Sequence, residues 1–287
     1  MQKYIDSFNQ MISLRGLTPA TRKSYSSYLT SYLNYLQTHL HKLPEEVSWS
    51  ELRSYILFIQ ATRNLADRTI NSHISQLRFF TLYVLHKPWD PYQLPMRKFD
   101  TYLPSVLSKE DALYFIQSLP NLKHKAVIST MYSAGLRVGE VCHLKYSDIN
   151  RKNMTIHVSS SKNRSERYTI LAKNTLDILT QYWYDYGKPT DWLFPSTWGN
   201  QKPIVSFTVN RFVNDHLTRL GWSQHLNCHS FRHSFATHLY ENGVDLLTIK
   251  NLLGHKSLNS STIYVHLGFR GNASVKSPFD FSGGAHE

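Results

Sequence analysis

A chain of 287 residues with 41% apolar content is long enough for two ordinary domains with real cores. Lys plus Arg number 32 against 20 Asp plus Glu, a net charge of +12 with a pI near 9.6; such an excess suits a polyanionic partner. No apolar run reaches membrane-span length, the start MQKYIDSFNQM lacks the apolar core of a signal peptide, and two cysteines, Cys142 and Cys228, are too few for a disulfide framework or a cysteine zinc site. A cytoplasmic, nucleoid-associated place of action is therefore expected.

In chain order, Thr18 followed by Pro19 marks a helix start, and Tyr25, Tyr28, Tyr32 and Leu36 recur at helical spacing to about His39. That tyrosine stripe reads as core packing rather than a surface for stacking bases. Ser48 and Glu51 form a capping box ahead of Leu52, Tyr55, Ile56 and Ile59. A third helix is expected from Asp67 to Leu85, with Ile70, Ile74, Leu77 and Val84 inward. It carries Arg68, His73 and Arg78, and Arg63 precedes it. A solvated charged face and a DNA-facing one both fit these residues.

Lys87 to Pro104 holds Pro88, Pro91, Pro95 and Pro104, which reads as an extended connector, and Arg97 and Lys98 within it are candidates to follow a DNA backbone. The expected layout is a helical domain over 1–87, a linker over 88–104, a second domain over 105–270 and a tail over 271–287. Residues 1–104 hold 12 basic and 7 acidic side chains and the remainder 20 and 13, so both parts are candidates to touch the polyanion.

Beyond the linker, Ser108 and Asp111 open a capped helix, and an apolar helix from Leu122 to Ala134 stops at Gly135. Arg137 begins a short helix through Leu144, with Glu140 either orienting Arg137 or standing as a helix-face charge. Met154–Ser159 and Arg167–Leu171 alternate around SSKNRSE, a hairpin with Lys162 at its tip and Arg164 and Arg167 as neighbours that are candidates to hold phosphates. Asn174–Tyr186 and Ser206–Leu220 read as helices, with Asp191–Pro203 a loop between them. A helix is expected from Ser230 to Asn242, with His229 just before it and Arg232 in its first turn; Asp245 caps another to Leu253, with Gly254 and His255 beyond. Tyr264 follows on a short helix.

The segment Cys228–Leu267 gathers His229, Arg232, His255 and Tyr264. A phosphodiester under attack gathers negative charge on its non-bridging oxygens, and a guanidinium binds such oxygens bidentately while staying charged. Histidine adds a donor or proton carrier near neutrality, and a phenol can attack phosphorus to leave a covalent ester. Arg137 completes the clamp. His233 and His238 are expected to be packed or solvent-exposed. Zinc held by His229 and His233 lacks an acidic third ligand at a recognisable spacing.

AGLRVGEV, HSFRH, LLGH and TIY, in this order and spacing, resemble the active-site motifs of the tyrosine recombinase (phage integrase) family, most closely two-domain Xer-type recombinases and mobile-element integrases. The resemblance spans Val106–Leu267 strongly and the first hundred residues loosely. It implies a mainly α fold with a small β-sheet or hairpin: an N-terminal helical-bundle (SAM-like) core-binding domain and a C-terminal mixed α/β catalytic domain. It further implies Tyr264 as nucleophile, Arg137, Arg232, His229 and His255 on the phosphate, with one of these two histidines to take the phenol proton, and Lys162 as general acid. No cofactor, metal or ATP is implied. The implied partner is double-stranded DNA with inverted-repeat core sites, bound by a homotetramer or by a heterotetramer with a second recombinase. A tail segment such as Val275–Phe281 would dock on a neighbouring protomer or remain disordered. Rival readings are a type IB topoisomerase, a DNA-binding regulator with an idle catalytic fold, and a metal-dependent nuclease.

Overall fold

The computed structural model describes residues 1–100, 102–159, 166–196, 202–222 and 225–268. The chain divides into two compact units, Met1–Thr101 and Tyr102–Glu287. It is mainly helical, with one small antiparallel sheet.

The first unit is a bundle of α1 (Gln2–Leu14), α2 (Pro19–Tyr35), α3 (Trp49–Arg63) and α4 (Asp67–Tyr83). Helix α1 is additional to the expected elements: Tyr4, Phe8 and Ile12 recur every fourth residue and all three are buried. Thr18 caps α2 by accepting from the Thr21 amide, and a π-helical turn over Leu36–Leu40 continues it. The stripe on α2 does face the core: Tyr32 and Leu36 are buried, and Tyr32 packs edge-on against Tyr55. The Ser48–Glu51 capping box forms at the start of α3.

His73 departs from its expected place on the charged face of α4. It is buried, its Nδ1 lies 3.3 Å from the Tyr55 hydroxyl, and its ring packs against Tyr28. Most of the proline-rich stretch lies against this unit rather than running free. Leu94 is buried in its core, Trp89 packs edge-on against Trp49, and the Arg97 backbone exchanges hydrogen bonds with the Asn71 amide group.

The second unit begins with α5 (Lys109–Ser118), α6 (Leu122–Ala134) and the short α7 (Val138–Cys142). The sheet follows: β1 (Ile149–Asn150), β2 (Thr155–Val158) and β3 (Arg167–Ile170), in the order β1-β2-β3. The expected hairpin is therefore the β2–β3 pair, in a register that sets Ile156 opposite Thr169 and Val158 opposite Arg167, with β1 added at its edge. Then come α8 (Lys173–Asp185), α9 (Ser206–Arg219), α10 (Cys228–Glu241), α11 (Leu246–Leu253) and α12 (Ile263–Gly268).

The main core joins α5, α6, α8, α9 and β2, and reaches Phe231 on α10. A smaller one unites α10, α11 and α12 through Phe235, Ala236, Ile249, Leu253 and Tyr264. Because α10 borders both, its polar face is held between two packed layers. Among the described residues no helix is long and apolar enough to cross a membrane.

Candidate active site

Gly135 ends α6 in the left-handed region (φ 62°), and a Cβ there would fall 2.4 Å from the Phe235 ring, so only glycine lets α6 stop this close to α10. The turn delivers Arg137 to the N-cap of α7. Glu140, one helical turn on, accepts from the Arg137 backbone amide at 2.9 Å and from its guanidinium at 2.7 Å. Of the two readings open for Glu140, the orienting one is what the geometry shows.

Glu140 does more than orient Arg137. Arg167 on β3 donates to both its oxygens, at 3.0 and 2.8 Å, and Arg232 on α10 lies 3.6 Å away. One buried carboxylate therefore serves three guanidiniums. Burial alone would raise its pKa, but the Arg167 pair and the neighbouring arginines hold it below the usual carboxylate range. The cluster keeps an excess of two positive charges.

Arg232 is 1% exposed. Its fork donates to the Gly135 carbonyl at 2.7 Å and the Leu253 carbonyl at 2.6 Å, tying the ends of α6 and α11 to α10. Burial, aided by the charges of Arg137 and Arg167, pulls its pKa down to about 9, so the guanidinium stays charged at neutral pH. The α10 helix begins at Cys228, capped by Asn227, two residues earlier than expected. His229 is consequently exposed within the first turn of the helix, and Arg232 falls in the second.

Asp245 caps α11 by accepting from the Leu247 and Thr248 amides, and Gly254 (φ 65°) ends it. A Cβ on Gly254 would meet Arg167 Cδ at 2.9 Å. His255 then follows, with Nδ1 2.9 Å from the Ser261 hydroxyl. Burial, Arg232 and Arg137 lower its pKa to about 4, which leaves the ring neutral at pH 7. Tyr264, on the first turn of α12, is 1% exposed, and its ring lies nearly parallel to that of His255 (14°, centroids 6.3 Å). Burial raises the Tyr264 pKa, while Arg232 and Arg137 act to lower it. A buried phenol, the guanidiniums of Arg137 and Arg232 gathered on one carboxylate and the neutral His255 imidazole are chemistry that can bind an anion and attack it.

Residues 105–270 match the phage integrase family, and residues 4–91 match the phage integrase N-terminal SAM-like domain. The chain belongs to the phage integrase family. It is 34% identical to an integrase/recombinase, y4qK, of Sinorhizobium fredii, over 94% of this chain and 86% of that one. It is 31% identical to the tyrosine recombinase XerD of Pseudomonas putida, over 92% of each chain. Among solved structures, the Tn1549 transposon integrase in complex with a circular intermediate DNA shares its fold, with a TM-score of 0.75 at 18% identity over 91% of this chain and 94% of that one. As a phage integrase family member with such relatives, the chain is a tyrosine-type site-specific recombinase.

Within this family member the structure brings Arg137, Arg232, His255 and Tyr264 together around Glu140 and the α10 helix, with His229 at the helix's exposed first turn. Lys162 and Arg164 lie outside the described residues, as do the tail 271–287 and Val275–Phe281 within it. Arg167 must be reassigned. Expected to hold phosphates, it is buried on Glu140, and its Nε donates to the Leu252 carbonyl at 2.7 Å, so its fork is committed inside the protein.

The strand pattern gives no warning of the change for Arg167, because alternation alone would turn the apolar residues inward. On β3 it is Arg167 and Thr169 that turn inward while Tyr168 and Ile170 stay exposed, because each inward group finds a buried partner; Thr169 donates to the Ala134 carbonyl. Arg63, Arg68, Arg78 and Lys98 are exposed on the first unit, Arg68 lying over the Phe99 ring. Arg97 is instead engaged at home, with Asp67 at 3.0 Å and Gln60 at 2.6 Å.

The histidines expected to be packed or exposed divide. His238 is buried, bonded to the Tyr132 hydroxyl at 2.9 Å and the Leu107 carbonyl at 3.0 Å. His233 is half-buried beside the nucleophile candidate, with Nδ1 3.4 Å from the Tyr264 hydroxyl. Its spacing offered a signal, four residues after His229 and hence on the same helical face.

Proposed function

We propose that this recombinase cuts a DNA strand by in-line attack of the Tyr264 phenol on a backbone phosphate, leaving a 3′-phosphotyrosyl link and a free 5′-hydroxyl. Arg137 and Arg232 clamp the non-bridging oxygens, and His229 and His255 add hydrogen bonds to them. Lys162, in the segment between β2 and β3, protonates the departing 5′-oxygen. The ester conserves the energy of the broken bond, so the 5′-hydroxyl of another strand can reverse the attack. Neither ATP nor a metal enters this scheme.

The reading is carried by one observation: a single buried carboxylate, Glu140, stands among three guanidiniums, leaving uncompensated positive charge near the buried Tyr264 hydroxyl. A phosphodiester supplies the missing charge. The exposed Arg63, Arg68, Arg78 and Lys98 of the first unit suit backbone contacts to the same duplex. The substrate is double-stranded DNA with inverted-repeat core sites, exchanged by four protomers, and that substrate sets the place of action in the cytoplasm at the nucleoid. The complex of the Tn1549 integrase with a circular intermediate DNA supports a DNA partner.

The test is a duplex from DNA flanking the gene, nicked so that the 5′ fragment diffuses away after cleavage, incubated in EDTA. Peptide mapping is expected to locate a covalent DNA adduct on Tyr264, and Tyr264→Phe to form none. Tight, specific DNA binding without an adduct would overturn the cleavage scheme, and a nick without a protein adduct would point to a nuclease.

A further inference from the structure

We propose that His233 takes the phenolic proton from Tyr264 as the phenol attacks phosphorus, and returns it in the reverse step. The inference rests on the reading of Tyr264 as nucleophile and concerns a residue to which that reading gives no task.

The contact is direct. His233 Nδ1 lies 3.4 Å from the Tyr264 hydroxyl, and their ring centroids are 5.9 Å apart. Tyr264 is 1% exposed, so its hydroxyl has little direct access to bulk solvent as a proton acceptor. Helix geometry fixes the acceptor. His233 follows Arg232, whose fork is tied to two carbonyls, and its ring meets that of His229 edge-on with centroids 4.6 Å apart.

The other groups near the phenol are differently committed. Arg232 and Arg137 are donors only and cannot accept a proton. His255 has Nδ1 on the Ser261 hydroxyl, and its ring lies nearly parallel to the phenol ring. His229, exposed at the first turn of α10, suits the phosphate rather than the buried hydroxyl.

His233 is also held neutral and ready. Burial, then the neighbouring His229 and Arg232, lower its pKa to about 4. At pH 7 it therefore carries one N–H and one open nitrogen; in the proposed arrangement the N–H is on Nε2, so that the Tyr264 hydroxyl donates to Nδ1. A scissile phosphate adds negative charge beside His229, Arg232 and His255 and offsets the repulsion that depresses His233, strengthening it as a base when it is needed. In the step, the Tyr264 O–H bond breaks and its proton passes to Nδ1. The phenol oxygen supplies the electron pair of the new O–P bond, and the P–O5′ bond breaks with its pair on the departing oxygen, which Lys162 protonates. Reversal returns every atom.

Two measurements on the full chain decide this. In the first, long-range nitrogen–proton correlation spectra of histidine-labelled protein without DNA should show His233 with Nδ1 unprotonated and Nε2 protonated, and Tyr264→Phe should shift Nδ1. A protonated Nδ1, or a Nδ1 signal indifferent to Tyr264→Phe, overturns the proposed contact.

The second compares wild type with His233→Asn, which keeps a polar but non-basic group near the Nδ1 position, and with His233→Ala, in single-turnover cleavage of nicked duplexes at saturating DNA. Cleavage should slow roughly 10²- to 10⁴-fold with DNA affinity little changed. The residual rate should rise with pH as hydroxide replaces the lost base. A sulfur at the leaving 5′ position, which needs no protonation, should restore Lys162→Ala but not His233→Asn. His233→Asn cleaving within about threefold of wild type, with a wild-type adduct on Tyr264, sinks the role of His233 alone. No adduct on wild type counts against the Tyr264 reading itself.

Discussion

The two units treat their arginines in opposite ways. The first leaves Arg63, Arg68 and Arg78 exposed over a core of aromatic and aliphatic side chains, with His73 and Gln76 its buried polar residues among those described. The second buries Arg167 and Arg232 against Glu140 and takes Lys123 and Asp148 inside as well. Burying a charge is unfavourable unless it is paired, and an apolar core of equal volume would serve stability at least as well. The second unit therefore keeps its charges for a reason other than stability. The first presents charge that bulk water already solvates, suited to a partner that arrives from outside.

The sharpest way to break this contrast is to remove the shared carboxylate. Glu140→Ala leaves Arg167 and Arg232 buried without a counter-charge and is expected to destabilise the second unit by about 3–5 kcal/mol. Hydrogen exchange read by mass spectrometry should show α6, α7 and α10 losing protection while α2 to α4 keep theirs. Equal loss in both units would mean that Glu140 is not confined to this local role.

Acid should separate the units less abruptly. His73 in the first unit has its pKa lowered to about 4 by burial. In the second, burial lowers His233 and His255 to about 4 as well, and His124, His216 and His238 are lowered too. A depressed folded-state value means that the stabilisation is complete above the unfolded pKa near 6.5 and is lost as pH falls toward the folded value, about 4 for His73, His233 and His255, because the unfolded chain takes up protons first. The slope is about 1.4 kcal/mol per pH unit for each such histidine. Protection between pH 6.5 and 5 should therefore fall more steeply in the second unit. Parallel slopes would contradict the placement of these rings.

The smallest effect belongs to the exposed cations. Arg63→Ala and Arg78→Ala should each change stability by no more than about 0.5 kcal/mol. Each should weaken DNA binding across sequences and reduce the salt slope of the affinity by about 1. A variant with unchanged salt dependence would remove that arginine from the DNA face.

Much of the plan was legible along the chain because local chemistry dictates it. The caps at Thr18, Ser48, Ser108 and Asp245 form as their side chains require, and Gly135 and Gly254 end their helices in the left-handed region. The four motifs announced the family and the order of Arg137, Arg232, His255 and Tyr264. The first helix is written in the same local way, in the four-residue spacing of Tyr4, Phe8 and Ile12.

What the sequence could not decide is which charged side chains meet each other. Arg167 and Glu140 stand 27 residues apart with β1 and β2 between them, and only the packing of β3 between α6 and α11 makes their pairing cheaper than exposure. The same holds for His233. Its helical face follows from spacing, but its contact with Tyr264 exists because a small core joins α10, α11 and α12. Periodicity and capping are properties of a few neighbouring residues and are written locally. Charge pairing depends on distances set by the whole unit, and there tertiary structure alone turned a surface-type arginine into a brace and an unassigned histidine into the neighbour of the phenol.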